Sequence, residues 1–165
     1  MLTLLWCLPS CQSGRATAFR DSIVQQERRA LAIMVGKGGP AEQKLESLIK
    51  DDFTGAQLAV DAEEKALDSI INRIKSLPVT GVKEGEQLKT AAINFYTAVK
   101  AMEIYARKEI EQQALSLDKD EKLSHAAQDS LLQLAIAKKE VTAAVRQKDE
   151  EFQKALQAFE TANGI

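Results

Sequence analysis

The stretch Leu45-Glu-Ser-Leu-Ile-Lys-Asp-Asp-Phe-Thr-Gly-Ala-Gln-Leu-Ala-Val-Asp-Ala-Glu-Glu-Lys-Ala-Leu-Asp-Ser-Ile-Ile-Asn-Arg-Ile-Lys-Ser-Leu77 decides the fold. Its apolar residues, Leu45, Ile49, Phe53, Ala56, Val60, Leu67, Ile70, Ile71, Ile74 and Leu77, recur at helical spacing. That spacing gathers them on one face of a helix, whereas a strand would scatter them over both faces. The phase continues through Asp51-Asp52-Phe53-Thr54-Gly55, and a glycine costs a helix interior only about 1 kcal/mol relative to alanine. The pattern predicts one long helix from Pro40 to Leu77, with a kink or break permitted at Asp51–Gly55. Pro78 and Gly81 end it.

Similar segments flank it. Upstream, a helix starting near Thr17 places Phe19, Ile23, Ala30, Leu31 and Met34 inward. Gly36-Lys37-Gly38-Gly39-Pro40 follows, with glycines past one helix end and a proline in the first turn of the next. Downstream, a third helix begins after Thr80-Gly81 and carries Leu88, Ala92, Phe95, Val99, Met102, Ala106, Ile110 and Leu117 inward. Ser116-Leu117-Asp118 is the next turn, and Asp118 with Glu121 has capping-box spacing. The fourth helix buries Leu123, Ala127, Leu131, Leu134, Val141, Val145, Phe152, Ala155 and Phe159, and Asn163-Gly164 stops it.

No alternating apolar run competes, so strand content should be near zero. Short connections make sequential helices antiparallel neighbours. The expectation is an all-α, elongated, antiparallel up-down-up-down four-helix bundle, forming a single domain over residues 17–163. At 1.5 Å per residue the last helix would be about 65 Å long and the first only about 30 Å, which leaves three helices at one end.

Composition narrows the function classes. The chain has 165 residues, 45% hydrophobic and 28% charged, which fits one globular domain with a real core. Lys+Arg 22 against Asp+Glu 24 gives a formal net charge of −2, without the basic excess of a nucleic-acid surface. Aromatic content of 5% offers no stacking platform for single strands.

Reactive constellations are equally scarce. His125 is the sole histidine, and Lys122 stands where a di-iron bundle needs a glutamate three residues earlier. No metal is expected. Asp51-Asp52 lacks the alternating oxygen ligands and closing glutamate of a calcium loop. Gly36–Gly39 follows no strand, so it is a turn and not a phosphate cradle. Glu63 and Glu109 fall near inward positions, yet both read as solvated helix flanks. Phe95 and Met102 read as core. The flank from Tyr96 to Tyr105 is where a groove would lie, since a phenol at a core edge keeps its hydroxyl wet. No catalytic residue and no cofactor are expected.

The first fourteen residues, Met1-Leu-Thr-Leu-Leu-Trp-Cys-Leu-Pro-Ser-Cys-Gln-Ser-Gly14, hold both cysteines of the chain. Their apolar run is far shorter than the ~20 residues that span a bilayer. Leu8-Pro9-Ser10-Cys11 resembles the bacterial lipoprotein signal, in which a leucine lies three residues before a cysteine and a small residue immediately precedes it. Pro9 departs from that pattern, and no basic residue precedes Arg15.

The helix opening Ala18-Phe-Arg-Asp-Ser-Ile-Val24, the Ile74–Pro78 run before an Ala91–Tyr96 helix, and the Ala158–Gly164 end add to the likeness. Together they resemble small surface and envelope lipoproteins of bacteria, of uncharacterised function, with a helical-bundle body. The resemblance implies a leader over residues 1–10, acyl chains on Cys11 and a short tether over 11–16. It also implies membrane anchoring at the bacterial cell envelope, at the outer membrane or cell surface. The expected function is a non-enzymatic structural or protein-interaction bundle, with no partner identifiable. The alternatives are a bundle that holds a small apolar or aromatic ligand, and a cytosolic helical adaptor with no export signal.

Overall fold

The computed structural model describes the backbone of residues 10–165 and the side chains from Ser13 onward. It contains α1 (Ser10–Val35), α2 (Pro40–Ile49), α3 (Phe53–Ser76), α4 (Gly85–Ser116) and α5 (Glu121–Asn163). There is no strand among the described residues. Residues 1–9 of the expected leader lie outside them, as does the side chain of Cys11. Residues 11–16, expected as a tether, belong to α1.

Cross-helix contacts fix the directions. Asp68 meets Lys100 at 2.7 Å and Glu64 meets Arg107 at 2.7 Å, so α3 and α4 run antiparallel. Asn163 donates to the Lys83 carbonyl at one end of the α4–α5 pair, and Ser124 to the Ser116 carbonyl at the other. That pair is antiparallel too. Phe19 lies against Phe159 near the end of α5, whereas Met34, farther along α1, shares a lining with Thr142 and Val145 earlier in α5, which sets α1 antiparallel to α5. The body is therefore an up-down four-helix bundle, as expected.

The composition of its first two arms differs from the sequence reading. Were Pro40–Leu77 one helix, Lys44 and Glu63 would stand about 28 Å apart. Their side chains meet at 2.6 Å. The chain reverses at Lys50–Asp52, and α2 folds back along α3. The first arm is thus α1 continued by α2, with Gly36–Gly39 a bend within it, and α3 alone forms the second arm.

Local chemistry explains the reversal. Asp51 takes a left-handed backbone with φ 55°, a conformation that Asp tolerates better than most residues. Asp52 then caps α3, its carboxylate accepting from the Gly55 N–H at 2.9 Å. A Cβ on Gly55 would come within 2.2 Å of the Asp52 carboxylate and 2.8 Å of the Ser47 hydroxyl. Glycine at position 55 keeps the turn closed, a different role from that of a tolerated helix-interior residue. At the upstream bend, a Cβ on Gly36 would lie 2.2 Å from the Ala32 carbonyl oxygen.

The main core joins Ala16, Phe19 and Ile23 of α1 to Leu67, Ile70 and Ile74 of α3, Leu88, Ala92, Tyr96 and Val99 of α4, and Phe152 and Phe159 of α5. A smaller cluster of Ala56, Val60 and Ile110, with Leu48 and Phe53 against it, lies toward the α3 N-terminus. Several residues expected inward are exposed: Leu31, Leu45, Ile49, Leu117 and Leu123. For Leu45 and Ile49 the cause is the reversal, because α2 turns Lys44 and Leu48 to the bundle instead. Leu117 sits in the turn after α4, and Leu123 at the very start of α5.

Among the described residues the backbone of α2 does not come close to that of α5, and α1 approaches α5 only briefly. The seam between the first and fourth arms is therefore open along much of its length.

Candidate functional site

Two features of the bundle stand out. The first is a buried charge cluster. Lys44 from α2 reaches Glu63 of α3 at 2.6 Å and Glu103 of α4 at 2.5 Å. Glu63 is 0% exposed and Glu103 3%. Glu63, expected on a solvated flank, is instead fully enclosed, because α2 folds over it. Glu103 and Lys44 carried no sequence signal, since charged residues at inward helical positions look the same as flanking ones. Glu109, the other carboxylate considered, pairs with Lys138 across α4 and α5 at 2.6 Å.

The cluster holds one cation between two carboxylates. Burial, reinforced by the neighbouring Glu103, pushes Glu63 up to about 7, against the opposing pull of Lys44. Burial also pulls the Lys44 amine down, but the two carboxylates outweigh it and hold the amine above its ordinary range. The second oxygen of Glu63 has no hydrogen-bond partner among the protein groups. Chemically this is a lock: the lysine bridges one oxygen of each of the carboxylates that α3 and α4 bury. It also ties α2, which has no buried residue of its own, to both α3 and α4.

The second feature is a cleft of about 600 Å³ between α1, α4 and α5. Met34, Phe95, Val99, Met102, Val145 and Phe152 are among the apolar groups that line it. Phe95 and Phe152 stack at 5.8 Å, and Tyr96 lies 5.0 Å from Phe95 and 6.4 Å from Phe152. A smaller cavity of about 290 Å³, bordered by Lys44, Leu48 and Met102, continues the line between α2, α4 and α5.

The two tyrosines expected to flank a groove are not brought together. Tyr96 is buried in the ring cluster and lines the cleft, and its hydroxyl has no partner. Burial, then the nearby Glu27 and Asp149 carboxylates, pushes that phenol well above its ordinary range. Tyr105 points elsewhere and donates to the Leu134 carbonyl, pinning α4 to α5. Phe95 and Met102, expected as core, are half-buried in the cleft wall. The inward register of α4 is Leu88, Ala92, Tyr96, Val99, Glu103 and Ile110, so Tyr96 takes the place assigned to Phe95.

The remaining candidates are peripheral. His125 is exposed near the start of α5. No group of three or more His, Cys, Asp or Glu side chains able to hold a metal ion occurs among the described residues. No helix among them is long and apolar enough to cross a membrane. Comparison with protein-family models, curated proteins and solved structures returned no match.

Proposed function

We propose that this chain is a lipid-anchored protein of the bacterial cell envelope whose bundle plays a structural or protein-interaction role and catalyses no reaction. The observation that carries the non-catalytic half is the disposition of the buried charges. Lys44 pairs with Glu63 and Glu103 and so fastens α2 to α3 and α4, and both carboxylates are buried between the helices, so we read these charges as holding the fold together.

The anchoring half rests on Leu8-Pro9-Ser10-Cys11. It is supported by α1, which is helical from Ser10. A helix beginning beside the acylated residue would hold the bundle close to the bilayer. Several acyl chains on Cys11 would make that attachment stable, where one chain alone is marginal.

Metabolic labelling with palmitate in a bacterial host tests the reading. Label should enter the parent protein and vanish in Cys11→Ala; an unlabelled parent would contradict the anchor.

A further inference from the structure

We propose that the cleft between α1, α4 and α5 is a binding site for a hydrophobic organic cation, an amine or quaternary ammonium on an apolar or aromatic body. This goes beyond the anchoring reading and holds whether or not Cys11 is acylated.

The volume of about 600 Å³ lies within the range of small-molecule sites, which are mostly apolar with a few placed polar groups. The walls fit that description. Phe95, Tyr96 and Phe152 form a ring cluster on one side, and Met34 and Met102 supply side chains that adapt to an irregular ligand.

Charge selects the ligand class. Three charged residues line the cleft: Glu27, Arg146 and Asp149. Glu27 and Asp149 are half-buried, while Arg146 is exposed. Arg146 also borders the outer strip of α5 that carries Lys138 and Lys139, so it belongs to the solvent side. Neither carboxylate has an ion-pair partner among the described residues. Both border the cleft that the Tyr96 ring also lines. With Arg146 exposed at the rim, the half-buried part of the lining carries only negative side chains. Aromatic faces attract cations for the same electrostatic reason, and more strongly once water is excluded. An anionic ligand of the same shape would meet two unpaired carboxylates and only one solvent-facing guanidinium.

A matched pair of probes tests this. Phenylbutylamine and phenylbutyrate share one apolar body and differ in the sign of the head group. Titration calorimetry on the full chain at neutral pH should show saturable binding of the amine, about tenfold tighter than the acid, equivalent to about 1.4 kcal/mol. The double variant Glu27→Gln, Asp149→Asn should lose that preference. Thr142→Trp, at an exposed position on the cleft rim, should obstruct both probes.

Methyl NMR on the unaltered protein provides a readout that no variant's folding can affect. The amine should shift Met34, Val99 and Met102. Absent saturable binding, equal or tighter binding of the acid, a preference that survives the double variant, or shifts confined to other methyls would each overturn the proposal.

Discussion

Replacing Lys44 by methionine removes the charge while keeping most of the side-chain volume, and the cost follows from what is left behind. Glu63 and Glu103 would remain at 0% and 3% exposure without their shared cation. Removing one partner of a buried ion pair typically costs about 3–5 kcal/mol, because the orphaned charge stays out of water. Here the lower end applies. Glu63 already titrates near 7, so at neutral pH the variant can relieve the clash by taking up one proton. The expected loss is about 3 kcal/mol, or about 6–12 °C in melting temperature for a domain of this size. Urea and thermal unfolding followed by circular dichroism at neutral pH would measure it. Adding Glu63→Leu and Glu103→Met should recover much of the loss, since an apolar set of similar volume often matches a buried ion cluster. A loss under about 1 kcal/mol for Lys44→Met would refute the claim that the lysine locks α2 onto α3 and α4.

Other outcomes follow from the same geometry. The raised Glu63 binds its proton more tightly in the folded than in the unfolded chain, so its contribution should fall as pH rises from about 4.5 to about 7. Urea midpoints measured at pH values across that window should decline, and a rise would contradict the enclosed carboxylate. Tyr105→Phe removes the hydrogen bond to the Leu134 carbonyl and should cost about 1 kcal/mol, whereas Tyr96→Phe removes an unpartnered hydroxyl and should cost nothing or stabilise. Parallel melting curves would show whether the order is reversed. Asp120 caps α5 by accepting from the backbone N–H groups of Lys122 and Leu123, so Asp120→Ala should cost about 1 kcal/mol. An Asp118→Ala change with the larger effect would restore the cap position expected from sequence.

That shifted cap illustrates which features were legible. The helical class, the bundle and most helix ends are written in local chemistry. Gly164 adopts the left-handed conformation that ends α5, and Gly81 the one between α3 and α4. The reversal at Asp51 was obscured by coincidence. Ile49 and Phe53 are four apart, so the apolar phase appears unbroken although the chain turns back between them. The decisive signs were polar: an Asp able to take a left-handed backbone, a second Asp able to cap, and a glycine three residues later. The charge cluster was less legible still. Lys44, Glu63 and Glu103 come from three helices, and only the reversal of α2 brings the lysine to the carboxylates. Tyr96 and Phe95 are adjacent, and choosing which faces inward needs the register of α4 against its neighbours, which local periodicity leaves open by one residue.

The folding back of α2 on α3 underlies the lock and the smaller cavity beside it, and one distance tests it. Nitroxide labels at the exposed positions Gln43 and Lys65, read by pulsed dipolar spectroscopy, sit on the two antiparallel helices. Packed helix axes lie about 8–10 Å apart, so the labels should give a separation of roughly 20 Å or less. A single helix through Asp51 would place them about 33 Å apart, and a distribution centred there would contradict the fold described.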